Sequence, residues 1–191
     1  MGGSYFSNAG VFLINAVFGL YIFAVLLRFL FQLVRTDFYN PLCQAIVTVT
    51  NPPLRPMRRY IPAIGGLDTS SIVLLLFLQV VNTLLVALVL GMSPSAGGVF
   101  VVAVAEILGK TLWIFIGAIV IEVVMSWVAP RAYNPLTTLI HALTSPLLLP
   151  ARRVIPPLGS LDLSPLVALL VLQLAQILLV APLRDLGFAL L

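Results

Sequence analysis

Charged side chains are scarce in this sequence. They make up 8% of the residues, against roughly 25% in soluble globular domains, whereas hydrophobic residues make up 61%. A chain of 191 residues with this composition has enough apolar surface for a core but too little polar surface to cover it. This excludes a soluble domain and predicts an integral membrane protein.

Cysteine, histidine and catalytic motifs are nearly absent as well. Cys43 is the only cysteine, which excludes an intrachain disulfide, and His141 is the only histidine and has no cysteine near it. The sequence also lacks a phosphate-binding glycine loop, a metal-ligand spacing and a nucleophile accompanied by a base. We therefore predict that the protein is not an enzyme and that it has neither catalytic residues, nor a metal, nor a cofactor.

Apolar runs long enough to cross a bilayer, about 18 residues or more, occur four times. They cover residues 10–34, 70–92, 104–129 and 164–183. The third helix either begins early, near Val99, or follows a short interfacial turn before Glu106 and Lys110. The spacing of these two residues suits an acid-to-base pair at a solvated helix start. The runs predict an all-α membrane fold with four spanning helices.

One segment of the chain occurs twice. Tyr-Asn-Pro-Leu at 39–42 recurs 94 residues later at 133–136, and 22 of the 41 positions from 39 to 79 match their counterparts without a gap. This indicates an internal duplication, with one repeat in residues 1–98 and the other in residues 99–191. Because each repeat contains two spans, both should point the same way, related by a pseudo-twofold axis along the membrane normal.

The basic residues are concentrated in two loops. A net charge of +4 would suit nucleic acid in a soluble protein, but this distribution indicates membrane topology and anionic lipid instead. The loops that follow the first and third spans contain Arg35, Arg55, Arg58, Arg59, Arg131, Arg152 and Arg153. Lys110 and Arg184 are assigned to the other side. The positive-inside rule then puts both loops in the cytoplasm and both termini outside.

Each of these loops begins with a predicted short helix. Asn40 and Asn134 suit its N-cap, and Pro41 and Pro135 its first position. Apolar residues follow at i, i+3, i+4 and i+7 in both repeats, which is typical of an amphipathic helix. The Thr-Asn-Pro at 50–52 and the Thr-Ser-Pro at 144–146 should end it after about ten residues. Such a helix is too short to span, so it is either an interfacial anchor or a re-entrant element.

A proline- and arginine-rich stretch follows the short helix in each repeat. We predict that it is extended and presents its arginines at the headgroup level, where they contact anionic lipid or a cytoplasmic partner. These arginines are Arg55, Arg58, Arg59, Arg152 and Arg153.

One aspartate precedes the second span in each repeat. Asp68 and Asp162 come just before Ser70 and Ser164, which we expect to cap the following helices. The aspartates are interpreted as structural. They either interact with the helix N-terminus or pair with the loop arginines.

Two charged residues occupy equivalent positions inside the predicted spans. Arg28 of the first repeat corresponds to Glu122 of the second. A lone charge in hydrocarbon costs on the order of 3 kcal/mol, so we predict that the two form an ion pair between the repeats. The alternatives are that Arg28 extends to the interface, or that the two residues relay an ion or proton.

Two amide side chains lie in the second span of each repeat, at matched positions. Gln79 and Asn82 correspond to Gln173 and Gln176, and the spacing of three residues puts each pair on one helix face. We predict that they form interhelical hydrogen bonds near the pseudo-axis. The alternative is a polar lining for a permeation path.

Several linked motifs resemble the signature of the YGGT family. They are Tyr-Asn-Pro at 133–135, Thr-Ser-Pro at 144–146, Pro-Ala-Arg-Arg-Val-Ile-Pro-Pro at 150–157 and Leu-Asp-Leu-Ser-Pro at 161–165. The first repeat departs from the signature at Ala63 and Ser71 and has an extra Arg55. The resemblance extends over both repeats. It implies a small multi-pass protein of the bacterial inner membrane, and the predicted topology makes both its termini periplasmic.

The resemblance favours one function and leaves a second as the alternative. The favoured function is cation transport, or its regulation, during osmotic stress. The other is a scaffold or assembly factor, because relatives are linked to cytochrome b6 haem maturation and to nucleoid or division-site organisation. A pore should line a continuous wet path with its intramembrane polar residues, whereas a scaffold should bury them as satisfied pairs. The expected partners are anionic lipids and either a second copy of the chain or another membrane protein, with no nucleic acid.

Overall fold

The protein is described here from a computed structural model, which covers residues 2–128, 134–154 and 162–191. Every regular element in these ranges is helical: α1 (Gly2–Leu33), α2 (Pro41–Tyr60), α3 (Thr69–Val89), α4 (Ala96–Val128), α5 (Pro135–Val154), α6 (Ser164–Ala175) and α7 (Ala181–Ala189). A π-helical segment, Gln176–Val180, joins α6 to α7. Arg131 and most of the stretch that follows Arg153 lie outside the described residues.

Within the described ranges, four helices are long and apolar enough to cross a membrane. They are Ser4–Leu33, Thr69–Val89, Ala96–Val128 and the combined helix Ser164–Ala189, which correspond to the four predicted runs. The third begins at Ala96, so the early start is the correct alternative and Glu106 lies inside the helix. Lys110 and Arg184, expected on the side opposite the two basic loops, both lie inside spanning helices. Each pairs there with Glu106, which offsets the cost of its charge.

The π-helical segment distinguishes the second repeat from the first. It lies directly before Pro182, whose counterpart in the regular helix α3 is Leu88. A proline ring clashes with the carbonyl group four residues earlier in an α-helix and has no N–H to donate to it. A widened turn before Pro182 accommodates this defect without ending the helix.

Helices α2 and α5 are twice as long as predicted. Each has 20 residues and continues through its prolines, at Pro52, Pro53 and Pro56 in α2 and at Pro146 and Pro150 in α5. The predicted stop near residue 51 and the predicted extended arginine stretch are therefore both wrong. In each repeat the two adjacent arginines lie in the last helical turn, where the helix dipole favours positive charge.

One contact shows how a helix passes its prolines. Pro53 cannot donate to the carbonyl of Val49, and the Tyr21 hydroxyl donates to that oxygen instead at 3.4 Å. In the second repeat the counterpart of Pro53 is Leu147, which has an N–H group, and the counterpart of Tyr21 is Phe115, which has no hydroxyl. The first repeat thus lacks the backbone donor and has a tyrosine hydroxyl in its place, whereas the second repeat keeps the backbone donor and has no such hydroxyl.

The main core lies where α1 meets α2, α3, α4 and α5. Its largest fully buried aliphatic side chains include Ile22, Leu26, Leu30, Leu54 and Leu143. At the opposite end, α7 packs closely on the start of α4. A Cβ added to Gly187 would lie 2.7 Å from Val102 Cγ2, and one added to Gly98 would lie 2.7 Å from the Leu190 carbonyl carbon. Only glycine permits these approaches.

Candidate functional site

The first turns of α2 and α5 meet between the two repeats. The Asn40 carboxamide accepts a hydrogen bond from the Leu42 N–H at 2.9 Å and donates one to the Pro135 carbonyl at 2.7 Å. Asn134 accepts from the Thr137 N–H at 2.9 Å. Both asparagines thus satisfy the start of their own helix, and Asn40 also joins the two helices.

Asp68 forms an ion pair with Arg58 at the C-terminal end of α2. Its carboxylate is 5% exposed and also accepts a hydrogen bond from the Ser71 hydroxyl at 2.7 Å. Burial raises the pKa of the Asp68 carboxyl, but the hydrogen bonds from Arg58 and Ser71 lower it more, so the net pKa is below its ordinary value.

Asp162 forms the equivalent pair with Arg152 in the second repeat, at 3.0 Å. It also accepts from the Ser164 N–H at 2.9 Å, and these bonds outweigh burial, so its pKa too lies below the ordinary value. The serines do not cap the helices as predicted. The Ser70 hydroxyl donates to the Ile61 carbonyl at 3.0 Å, and the buried Ser164 hydroxyl has no partner among the described residues. At the start of α6 the Asp162 carboxylate accepts the backbone N–H of Ser164 instead, whereas the Asp68 side chain makes no capping hydrogen bond to α3.

The other loop arginines point away from the core. Arg55 and Arg59 on α2 and Arg153 on α5 are exposed. No ion pair is found for them within the described part of the chain.

Arg28 binds the loop helix of its own repeat. One guanidinium nitrogen, NH1, donates to Thr50 Oγ1 at 2.8 Å, to Asn51 Oδ1 at 2.9 Å and to the Val47 carbonyl at 3.3 Å. The residue is 4% exposed. All three of its acceptors are neutral.

Glu122 does the same in the second repeat. Its carboxylate accepts a hydrogen bond from the Thr144 hydroxyl and lies 3.0 Å from Nδ1 of His141. Thr144 is the counterpart of Thr50. The predicted pairing of Arg28 with Glu122 is therefore not formed. Each charge is instead satisfied by the helix that follows it in sequence, which is a much closer partner than the other repeat.

Three charged residues of the second repeat interact inside the spans, and one of them also bonds to the first repeat. The Lys110 ammonium donates to Glu106 at 2.8 Å and to Gln79 Oε1 at 3.1 Å. Arg184 Nε lies 3.0 Å from the other oxygen of Glu106. Gln79 is 2% exposed, so this amide is a buried link between α3 of the first repeat and α4 of the second. The contact between Glu106 and Arg184 could not be predicted from the sequence, because α4 and α7 come together only in the fold.

Asn82 and Gln176 each form a hydrogen bond within their own repeat. Asn82 donates to Asn15 Oδ1 at 3.1 Å, and Gln176 donates to the Gly109 carbonyl at 2.9 Å. Asn15 and Gly109 are equivalent positions, so the two bonds are counterparts. Gln173 differs from its counterpart Gln79, because it is exposed on α6. The matched pairs therefore do not all face one axis.

Three larger hollows lie beside these contacts. The first, which we name the junction cleft, has a volume of about 580 Å³ and lies between the two repeats. Except for Lys110, its lining is apolar and includes equivalent residues of α2 and α5, such as Leu42 with Leu136 and Ile46 with Ile140.

The other two hollows are counterparts of each other. The first-repeat cavity, of about 600 Å³, is lined by Arg28, Arg58 and Asp68 together with uncharged residues. The second-repeat cavity, of about 920 Å³, is lined at one end by the equivalent residues Glu122, Arg152 and Asp162. In the described ranges, His, Cys, Asp and Glu side chains form no group of three or more suited to a metal ion.

Comparison with known proteins gives a family match over both repeats. The model of the CCB3/YggT family matches residues 7–89 and again residues 101–183. The chain is 42% identical over 177 residues to an uncharacterized protein of Pseudomonas aeruginosa, covering 91% of this chain and 89% of that one. It is 34% identical over 166 residues to the uncharacterized protein YggT of Escherichia coli K12, covering 86% of each chain. No solved structure matches the chain significantly.

Proposed function

This chain belongs to the CCB3/YggT family, and from that premise we propose that it is a bacterial inner-membrane scaffold rather than a conducting pore. The observation that supports the proposal is the pairing of polar groups inside the spans. Arg28, Glu122, Gln79 and Gln176 each bind a partner within the chain. The junction cleft, which lies between the repeats, is lined almost wholly by apolar side chains. A conducting path needs a continuous row of polar groups that face water, whereas each of these groups is hydrogen-bonded within the chain.

The proposed topology follows from the basic loops. We place α2 and α5 at the cytoplasmic interface, both termini in the periplasm, and the two repeats parallel. The basic residues are strongly asymmetric in distribution, because the described loop between α3 and α4 contains none. The exposed arginines Arg55, Arg59 and Arg153 then lie where anionic headgroups attract them, by about 1 kcal/mol each.

We propose a second copy of the chain as the partner of the α6 face that carries Gln173. Gln79, its counterpart, contacts the first span of the following repeat through Lys110. The first span of another copy would supply the same contact to Gln173. An amide exposed on a spanning helix favours such a neighbour, since interhelical hydrogen bonds are worth about 0.6–2 kcal/mol.

Photo-cross-linking from α6 tests this assembly. A photoreactive residue at position 173 should give a cross-linked homodimer in native membranes, whereas one at Val171 should not. Val171 is the matched control because it is also exposed, at nearly the same depth, on the opposite face. A cross-link to a different protein would show that this protein, and not a second copy of the chain, is the partner. Equal cross-linking from positions 173 and 171 would contradict the assignment of the contact to the Gln173 face.

Ion flux separates the scaffold from a pore. Purified protein in liposomes should give no cation flux above that of empty liposomes. Flux that increases with the amount of protein would contradict the scaffold.

Cation transport during osmotic stress is the second candidate. It is favoured by one observation, the ionic chain of Glu106, Lys110 and Arg184 inside the spans. In that case Glu106→Gln should abolish flux and osmotic tolerance at unchanged protein level. Unchanged flux and tolerance in Glu106→Gln would remove this support.

A further inference from the structure

The first-repeat cavity carries a net positive charge at the end of α1. Its two arginines, Arg28 and Arg58, outnumber its one aspartate, Asp68, giving +1. The remaining lining residues, among them Gln32 and Phe38, are uncharged. The volume of about 600 Å³ leaves room for a group much larger than a simple anion.

Arg28 is buried without a counter-charge. The residue is 4% exposed, and its Nη1 donates hydrogen bonds to three neutral oxygens. All 6 acidic residues of the chain lie within the described ranges, and none of them forms an ion pair with Arg28. Asp68, in the same cavity, is paired with Arg58. A buried cation is costly unless an anion is bound beside it.

We propose that the first-repeat cavity binds a phosphate group, carried by a membrane phospholipid or free in solution. The guanidinium group presents donors in a fixed fork that matches phosphate oxygens. Arg28 would use the nitrogens that α2 leaves available, while Arg58 contributes the second positive charge. The site is separate from the scaffold contact on α6, so either proposal can fail without the other.

The second repeat supplies an internal comparison. Its cavity has Arg152 and Asp162 where the first has Arg58 and Asp68, but Glu122 where the first has Arg28. The net charge of these three residues is therefore −1 instead of +1. A phosphate group should bind in the first-repeat cavity and not in the second. The sign of the net charge in each cavity is thus set by one position of the repeat, which is Arg28 in the first and Glu122 in the second.

Lipid retention measured by native mass spectrometry tests the proposal. Full-length protein from nanodiscs of phosphatidylcholine with added phosphatidylglycerol should retain one phosphatidylglycerol per chain more strongly than phosphatidylcholine. Arg28→Gln should weaken this retention about tenfold or more, the loss expected for a charge-assisted contact. Arg59→Gln is the matched control, because it removes an exposed arginine that does not line the cavity and so reports only the general attraction of the loop for anionic lipid. A second arm titrates inorganic phosphate into protein in phosphatidylcholine alone and follows thermal stability.

The two arms identify the source of the phosphate. Retention of phosphatidylglycerol without an effect of inorganic phosphate assigns a lipid headgroup, and the reverse assigns a free phosphate. Glu122→Arg should create a second binding event, which tests the site even if Arg28→Gln does not fold. The proposal is overturned if wild-type protein prefers neither ligand, or if a folded Arg28→Gln binds like Arg59→Gln.

Discussion

At the scale of single residues, a hydroxyl group explains how two equivalent sites tolerate opposite charges. Thr50 accepts a hydrogen bond from Arg28, and Thr144 donates one to Glu122. A threonine hydroxyl can do either, so the same residue at the same place in each repeat satisfies a cation in one and an anion in the other. The repeats can therefore diverge in charge while keeping the same loop helix.

Arg28 and Glu122 should therefore be energetically independent. In a double-mutant cycle with Arg28→Gln and Glu122→Gln, the losses of stability should add within about 0.5 kcal/mol, as for sites without shared partners. Glu122→Gln and Thr144→Val should instead couple, because they remove the same hydrogen bond. Unfolding in mixed micelles measures both cycles. A coupling above about 1 kcal/mol between Arg28 and Glu122 would restore the direct pair.

Asp68 and Asp162 should differ in what they contribute to stability. Asp68→Asn should cost about 1–3 kcal/mol, because it removes a buried, charge-assisted hydrogen bond. Asp162→Asn should cost about 0–1 kcal/mol, because its pair with Arg152 is more exposed. Thermal unfolding of each variant beside the wild type measures both losses, and equal losses would contradict the role of burial.

The pH dependence of the Asp68 contribution follows from its lowered pKa. A carboxylate with a lowered folded-state pKa stabilises the fold above its unfolded-state pKa, and this stabilisation is lost as pH falls through the folded-state value. The difference between wild type and Asp68→Asn should thus be constant above about pH 4 and shrink at lower pH. A difference that grew on acidification would contradict the ion pair.

At the scale of helices, close packing of α7 on α4 depends on glycine. Gly187→Ala should cost about 1–3 kcal/mol, because the new methyl group would overlap Val102 and the two helices would have to separate. Gly97→Ala is the control, since a Cβ there meets nothing within 4 Å. The melting temperature of each variant measures the effect. Equal melting temperatures would show that the helices adjust freely.

The helix elements also show what periodicity can and cannot predict. The four spans follow from their apolar runs, since length and hydrophobicity alone decide whether a segment suits the bilayer. The lengths of α2 and α5 do not follow, because their prolines normally end a helix. A contact such as that of the Tyr21 hydroxyl with the Val49 carbonyl becomes visible only when α1 and α2 are packed together.

At the scale of the molecule, the duplication predicted which residues are equivalent but not which residues touch. The offset of 94 residues correctly matches Arg28 with Glu122 and Arg58 with Arg152. Equivalence, however, does not imply contact. Each repeat forms its own ion pair between the loop helix and the next span, whereas the hydrogen bonds between repeats join residues that are not equivalent, Asn40 with Pro135 and Gln79 with Lys110. Asymmetric contacts of this kind depend on the packed fold.

Parallel repeats require both loop helices on one side of the membrane. In a Cys43→Ser background, Arg59→Cys and Arg153→Cys should both react with a membrane-impermeant thiol reagent only from the cytoplasmic side. Ser93→Cys, in the loop between α3 and α4, should react only from the periplasm. All three positions are exposed, while the native Cys43 is 1% exposed, so reactivity reports sidedness rather than burial.

Each outcome of this labelling has a distinct structural meaning. Opposite sidedness of positions 59 and 153 would make the repeats inverted, which two spans per repeat cannot produce without losing one of the four helices as a span. Labelling of both from the periplasm would keep the repeats parallel but reverse the protein. It would also place the exposed arginines against the leaflet that the positive-inside rule disfavours. Only cytoplasmic labelling of both agrees with parallel repeats and with the charge of the loops together.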